Sequence, residues 1–236
     1  MTVRKICSRW IPHNLSLAQK KARADWSKEM LQIYERGASK HVYDIVTDDE
    51  SWIYAYEPES KQQPIVWVFQ DEPNPTEVAR ARRTYKQMMT CFFGKTRHVA
   101  IIPLEQRKTV NSEWYTNICL PVVFQEIRKI NRRRWITFHN DIASSHTSPQ
   151  TTAFLSTQNI DLMSQPPYKP DLAPNDFFLF PYVKHKIRGQ RFSTPEETVD
   201  MFRIHVLEIP QSEWLKCFNN WFKRMQKCIN RNGEYF

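Results

Sequence analysis

The stretch WITFHNDIASSH, residues 135–146, decides how the rest of the chain is interpreted. Its first four residues predict a buried β-strand over 135–138, and the stretch then runs into an acid, Asp141. Ligands gather at strand ends in open mixed sheets, so an acid at this place is a candidate ligand-binding residue. It is also a candidate cap for the helix predicted over 147–157, and the pattern alone favours that role.

Two further acids lie near predicted element ends. Residues 41–47 and 51–56 predict two strands joined by a polar junction, which places Asp49 after the first strand. Asp176 follows a proline-rich turn and opens a helix predicted over 177–188. Each acid alone fits a turn or a helix cap better than a site. Together, convergent carboxylates in a basic protein suit Mg²⁺ or Mn²⁺, and paired ions support phosphodiester chemistry.

The other predicted elements follow from hydrophobic periodicity and turn residues. They are helices over 16–35, 111–130 (with a possible kink at Pro121), 195–207 and 211–229, and strands over 88–93, 98–104 and 160–163. The aromatic residues of the last helix predict a core-facing side. The segment 57–87, with four prolines and several basic residues, predicts an exposed arm or an ordinary surface excursion.

Composition narrows the class of protein. The formal charge of +9 favours a polyanionic partner such as nucleic acid. The sequence contains no window of eighteen apolar residues and no signal-peptide pattern, so we expect an intracellular protein without a membrane partner. Its five cysteines are widely spaced and form no CxxC pair, which predicts reduced, mostly structural thiols.

Four motifs together resemble the mariner family of transposases, and the resemblance covers essentially the whole chain. They are WIPHNL (10–15), TDDESW (47–52), HNDIASSH (139–146) and YKPDLAPND (168–176). The 34 residues between Asp141 and Asp176 match the spacing of the family's second and third acids. The resemblance implies an α/β, RNase H-like (retroviral-integrase-like) fold, a mixed sheet flanked by helices. It also implies a catalytic and metal-binding triad of Asp49, Asp141 and Asp176.

The same resemblance implies a function, cofactors and partners. It implies a nuclear enzyme that uses two Mg²⁺ ions, replaceable by Mn²⁺, to cut DNA at transposon ends and join them to a TA target. Residues 1–40 would be a linker and first helix, and 41–236 the catalytic domain, with an arm at about 57–87 that embraces a partner subunit in a homodimeric DNA complex. The chain starts after the family's helix-turn-helix modules, so we expect sequence-specific end recognition to be missing or weakened.

Several basic residues are candidates for contacts with DNA phosphates, although a solvated charged face explains each of them equally well. They are Arg80, Arg82, Arg83, Arg132, Arg133, Arg134 and Lys169.

The chain departs from the family pattern around the acids. Asp48 replaces a glycine, Asn140 and Ile142 replace a histidine and an asparagine, and Lys169 replaces a serine. These changes keep the triad and alter its surroundings. A second hypothesis is therefore a catalytically inactive DNA-binding or dimerisation module of a domesticated transposase. A third is an RNase H-type hydrolase of RNA in hybrids. His139 is expected to be structural rather than a general base.

Overall fold

A mixed β-sheet forms the centre of the fold. The computed structural model describes residues 11–56, 86–105, 108–130, 135–141, 143–158, 160–163, 165–166 and 168–236. Within these ranges the strands are β1 (Ile45–Tyr54), β2 (Lys86–Gly94), β3 (His98–Pro103), β4 (Ile136–His139) and β5 (Ile160–Met163). Their order is β3-β2-β1-β4-β5. The strand β2 is antiparallel to β1 and to β3, whereas β4 is parallel to β1 and to β5. The mixed sheet predicted from the sequence is confirmed.

Helices cover both faces of this sheet. They are α1 (Leu17–Ile33), α2 (Ser112–Trp114), α3 (Leu120–Ile130), α4 (Ser144–Thr147), α5 (Pro149–Ser156), α6 (Phe180–Ile187), α7 (Pro195–Leu207) and α8 (Gln211–Asn230). One hydrophobic core packs α1, α6, α7 and α8 against one face. A second core packs α2, α3 and α5 against the other. The described helices include none long and apolar enough to cross a bilayer.

The helix α8 confirms the prediction of a core-facing aromatic side. Its residues Trp214, Phe218, Trp221, Phe222 and Met225 recur at helical spacing and are all buried. They belong to the first core, which also contains Ile45 and Ile53 of β1. The cysteines also agree with expectation, because the four that the structure describes are buried and unpaired.

The prediction of two strands separated by a polar junction was wrong. The strand β1 runs unbroken through the acids, and Asp49 pairs with Cys91 of β2 in the middle of the ladder. Residues 41–44, predicted as the start of a strand, lie in a short 3₁₀ helix, Lys40–Asp44. The error arose because a run of acids normally marks a turn, whereas here partners from distant elements hold them within a strand. Side-chain alternation then places Asp49 on the α8 face and Asp48 and Glu50 on the other face.

Two helices contain a π turn directly before the residue that precedes a proline. The turns are Tyr115–Cys119 and Asn175–Leu179, and the N–H groups of Leu120 and Phe180 bond five residues back. Each proline at the next position lacks an N–H, which disfavours the regular α-helical bond there. The kink expected at Pro121 is thus a π turn upstream of it. The second π turn contains Asp176. This acid therefore lies inside the helical segment and is not its N-cap, which is Pro174.

The helix predicted over 147–157 is divided into α4 and α5. Ser148 has an extended backbone, and its side chain accepts a hydrogen bond from the Thr151 N–H as the cap of α5. Proline at the first position of α5 completes a typical helix start. The predicted arm at 57–87 lies outside the described residues, apart from Lys86 and Gln87, which begin β2.

Candidate active site

The three predicted acids line one cavity of about 450 Å³ at the edge of the sheet. Asp49 comes from β1, Asp141 follows β4, and Asp176 lies in the π turn before α6. The cavity is also lined by Asp48, His139 and Lys169. We call Asp49, Asp141 and Asp176 the acidic triad. Residues that are far apart in sequence therefore meet at one place.

Two members of the acidic triad contact each other. The side chains of Asp49 and Asp176 are hydrogen-bonding neighbours. Burial, followed by the negative charge of Asp176, holds the pKa of Asp49 well above its usual range. Burial also raises the pKa of Asp176, although its bond to Asp49 and the nearby Lys184 ammonium oppose the rise. Both carboxyl groups therefore lose their protons less readily than an exposed aspartate does.

Asp141 is held differently, through a histidine that sequence reasoning did not single out. Its Oδ1 lies 2.7 Å from Nδ1 of His146 and accepts the Ala143 N–H at 2.9 Å. Burial alone would raise the pKa of Asp141, but the hydrogen bond and charge of His146 outweigh it and lower the pKa. Asp141 is therefore not the helix cap that the pattern favoured, because Ala143 is the N-cap of α4 and has no side-chain cap bond, and the Asp141 carboxylate faces the cavity.

His146 connects Asp141 to the other face of β1. Its side chain is 1% exposed, and its Nε2 lies 3.3 Å from Oε1 of Glu50. Its ring packs against that of Tyr115, with centroids 4.4 Å apart. Burial disfavours the imidazolium, but the bonds to Asp141 and Glu50 and the charge of Asp48 raise the pKa of His146 to about 11. The only sequence signal for this role is its position at the end of the motif that contains Asp141.

Asp48, the residue that replaces the family's glycine, is buried beside His146. Its side chain is 4% exposed, and its Oδ2 accepts a hydrogen bond of 2.6 Å from the Tyr115 hydroxyl. Burial raises its pKa to about 7, although His146 and the bond from Tyr115 oppose the rise. We call Asp48, Glu50 and His146 the His146 cluster. Glu50 belongs to this cluster and does not line the cavity of the acidic triad.

Lys169 lies in the cavity wall and not on an exposed surface. It is 6% exposed, its ammonium lies 4.0 Å from the Trp26 ring centroid, and Nζ is 3.2 Å from Nε2 of His139. Burial, with the charge of Arg23, holds the pKa of Lys169 well below its usual range. Its role as a DNA contact stays a prediction. The six arginines predicted to contact DNA lie outside the described residues.

His139 has the environment of a structural residue, as expected. It is buried, its Nδ1 lies 3.0 Å from the Thr47 hydroxyl, and its ring meets the edge of Trp221 at 4.6 Å between centroids. Burial and the Lys169 charge hold its pKa well below the usual range. Both ring nitrogens thus have partners inside the protein.

The loop that carries Asp176 is fixed by residues from both ends of the chain. Arg23 of α1 donates to the Tyr168 carbonyl at 2.7 Å and pairs with Asp171 at 2.6 Å. The Trp221 indole of α8 donates to the Leu172 carbonyl at 2.6 Å. The ring of His13 stacks on Tyr168 with centroids 3.9 Å apart, so the described part of the first motif packs on the fourth.

Comparison with known proteins agrees with this geometry. No protein-family model matches the chain. The chain is 30% identical over 233 residues to the Mariner Mos1 transposase of Drosophila mauritiana, an alignment that covers 96% of the chain and 66% of that protein. The chain belongs to the mariner transposase family. It is also 26% identical over 238 residues to the human histone-lysine N-methyltransferase SETMAR, covering 98% of the chain and 34% of that protein. The chain thus spans just under two thirds of the length of the Mos1 transposase and about one third of the length of SETMAR.

Solved structures show the same fold. A Mos1 transposase paired-end complex with the left transposon end matches with a TM-score of 0.87 at 26% identity, covering 100% of this chain and 68% of that chain. The separate catalytic domain of Mos1 transposase matches with a TM-score of 0.78 at 24% identity, covering 96% of this chain and all of that domain. The mariner-family chain therefore has the RNase H-like fold that its motifs implied.

Proposed function

We propose that this mariner-family chain is a divalent-metal-dependent DNA endonuclease and strand transferase. The observation that carries the proposal is the convergence of Asp49, Asp141 and Asp176 on one cavity. Three carboxyl groups from separate motifs meet there, and those of Asp49 and Asp176 lie in contact with each other. Such an arrangement is typical of a site that binds cations.

The acidic triad fits Mg²⁺ or Mn²⁺. All three side chains offer carboxylate oxygens, which are the ligands that hard cations prefer. Asp49 and Asp176 would share ions, and His146 and the Ala143 N–H orient Asp141 toward them. Mos1 paired-end complexes with Mg and with Mn support this choice of metal. Two bound ions would supply an activated water or 3′-hydroxyl and neutralise charge on the leaving oxygen.

The proposed substrates are transposon-end DNA and a TA target. The support comes from the Mos1 complexes with a transposon end and after strand transfer. The formal charge of +9 suits a polyanionic substrate. We further propose that the chain acts as a homodimer on DNA, with the arm at about 57–87 reaching the partner subunit, and that it acts in the nucleus, where such DNA is found.

A second candidate function is an inactive DNA-binding or dimerisation module. The observation that favours it is the altered wall of the cavity. Asp48 adds a buried carboxyl group, and Lys169 places an amine among the acids where the family has a hydroxyl. A cationic amine in this wall competes electrostatically with a metal ion. Ile142 also removes the polar asparagine that follows Asp141 in the family, and Asn140 replaces the histidine that precedes it.

Nicking of supercoiled plasmid in Mg²⁺ or Mn²⁺ distinguishes these functions. The assay compares the chain, its Asp141→Asn variant, and a reversion that combines Asp48→Gly, Asn140→His and Ile142→Asn. Asp25→Asn, which neutralises an exposed acid on α1, is the matched control. We expect nicking by the chain, by the control and by the reversion, and a loss of at least about 100-fold in Asp141→Asn.

Other results would contradict the endonuclease assignment. If only the reversion nicks DNA, the chain is the inactive module on an intact fold. If no variant nicks while all bind DNA with a steep salt dependence, the binding role is supported. Preferential cleavage of an RNA–DNA hybrid would instead support the RNase H-type hydrolase.

A further inference from the structure

The His146 cluster is distinct from the acidic triad. Asp48 and Glu50 project from the face of β1 opposite Asp49, and His146 comes from α4. One ligand atom from each of these side chains lies within 4.8 Å of the other two. Among the described residues this is the one group of three His, Cys, Asp or Glu side chains that meets so closely. It shares no residue with the acidic triad.

The three side chains direct buried polar atoms toward one another. All three atoms are shielded from solvent: Asp48 Oδ1 has no hydrogen-bond partner, and Glu50 Oε1 and His146 Nε2, which lie 3.3 Å apart, have none besides each other. Asp48 is 4% exposed and His146 is 1% exposed. A buried polar atom without a partner costs about 1–3 kcal/mol, and more when it is charged. Three buried polar atoms with so few partners in one place therefore indicate an occupant that binds to all of them.

The surroundings orient the histidine as a metal ligand. Asp141 Oδ1 lies 2.7 Å from Nδ1, so a proton on Nδ1 leaves Nε2 directed at the two carboxylates. Metal-binding histidines usually have such a carboxylate partner on the other ring nitrogen. Nε2 lies 3.3 Å from Glu50 Oε1, which is about the separation of two ligands on a tetrahedral ion with bonds of roughly 2.0–2.1 Å. The Tyr115 hydroxyl fixes the remaining oxygen of Asp48 at 2.6 Å.

We propose that Asp48, Glu50 and His146 form a second cation site that binds a first-row transition-metal ion such as Zn²⁺. An imidazole with two carboxylates suits Zn²⁺ better than Mg²⁺, which prefers oxygen ligands and retained waters. Since the family has glycine where this chain has Asp48, the site is a feature of this chain.

An ion in this site also affects the acidic triad. It would hold the imidazole of His146, and the imidazole holds Asp141 at 2.7 Å. The position of Asp141 would then depend on occupancy of the His146 cluster, although the ion itself does not contact the triad. This inference does not depend on whether the chain cuts DNA.

The test is binding of Zn²⁺ in the presence of a large excess of Mg²⁺, measured by equilibrium dialysis and by the shift in melting temperature. The variants are Asp48→Asn, Glu50→Gln, the double variant Asp49→Asn/Asp176→Asn, and the exposed control Asp25→Asn. Asp48→Asn keeps the side-chain volume and an acceptor for Tyr115. Melting without added metal shows whether each variant is folded.

We expect one tightly bound Zn²⁺ in the chain, in Asp25→Asn and in the double variant. Asp48→Asn and Glu50→Gln should each weaken binding by more than about 100-fold, because loss of a direct ligand exceeds the 10–100-fold cost of losing a ligand's hydrogen-bond partner. Zn²⁺ binding that survives both of these substitutions would overturn the proposal. So would binding that is lost only in the Asp49→Asn/Asp176→Asn variant, or no tight binding by the folded chain.

Discussion

The buried carboxyl group of Asp48 makes the stability of the protein depend on pH. Its folded-state pKa of about 7 lies above its value in the unfolded chain. The folded state therefore holds the proton more tightly, and the free energy of unfolding falls as the pH rises from about 4 through 7. Below that window both states are protonated, and this contribution to stability is fully present.

We expect Asp48→Asn to lose this part of the pH dependence. Without divalent ions, the variant should be more stable than the parent at pH 8 by on the order of 2 kcal/mol. The gain is reduced because His146 loses one neighbouring negative charge. Urea unfolding at pH 4 and pH 8 in a chelator measures it, with Asp25→Asn as control. An Asp48→Asn variant that is less stable than the parent at pH 8 would show that the carboxylate is favourably paired.

His146 is a positioning residue for Asp141. We expect His146→Gln to raise the pKa of Asp141 toward its ordinary value, since the hydrogen bond and charge that lower it are removed. Mn²⁺ affinity of the acidic triad should fall about 10–100-fold. Titration calorimetry on the parent and on His146→Gln, each in an Asp48→Asn background that removes the second cation site, measures this fall. Equal affinities would show that Asp141 needs no such support.

The helix α8 supports the loop that carries Asp176. The Trp221 indole donates to the Leu172 carbonyl in a buried bond of 2.6 Å. We expect Trp221→Phe to destabilise the protein by about 1–3 kcal/mol, because the ring is kept while the carbonyl loses its donor. Urea unfolding tests this, with Trp135→Phe, at a site that is 58% exposed, as the matched control. Equal effects of the two substitutions would contradict the role given to Trp221.

The elements differ in how well their sequences predict them. The helices α7 and α8 are predictable from local patterns. Each has hydrophobic residues at helical spacing and a proline at or just before its first residue. The strand β1 is not predictable in this way, because its acids contact Tyr115, His146 and Asp176, which come from other parts of the chain. The π turn that contains Asp176 depends on Pro181 and on tertiary packing, and the local sequence pattern does not predict it.

At the scale of the whole molecule, Arg23 joins both ends of the chain to the site. Its buried guanidinium donates to the carbonyls of Gly233 at 2.8 Å and Tyr168 at 2.7 Å, and pairs with Asp171. We expect Arg23→Met to cost about 3–5 kcal/mol, because it leaves the Asp171 carboxylate buried without its charged partner. Thermal unfolding measures the loss, and Lys28→Met on the exposed side of α1 serves as control. A loss no larger than that of the control would contradict this account.

The site as a whole was predictable only in part. Motif spacing pointed to the three acids that line the cavity. A resemblance over the whole chain indicates which acids belong together, whereas local patterns predict only turns and helix caps for them. The roles of His146 and Tyr115 were not predictable, since their contacts with Asp141 and Asp48 exist only after α2 and α4 pack on the sheet. Lys169 was predicted as a DNA contact in the position of the family's serine, and its burial against Trp26 depends on how α1 packs across the loop.

The most direct test of the central claim is to locate Mn²⁺ by anomalous scattering in crystals grown with that ion. We predict Mn²⁺ bound by the carboxylates of Asp49, Asp141 and Asp176 in the parent chain, and none at that position in Asp49→Asn/Asp176→Asn. Absence of Mn²⁺ from the acidic triad of the parent, with Asp49 and Asp176 still bonded to each other at saturating metal, would contradict the claim.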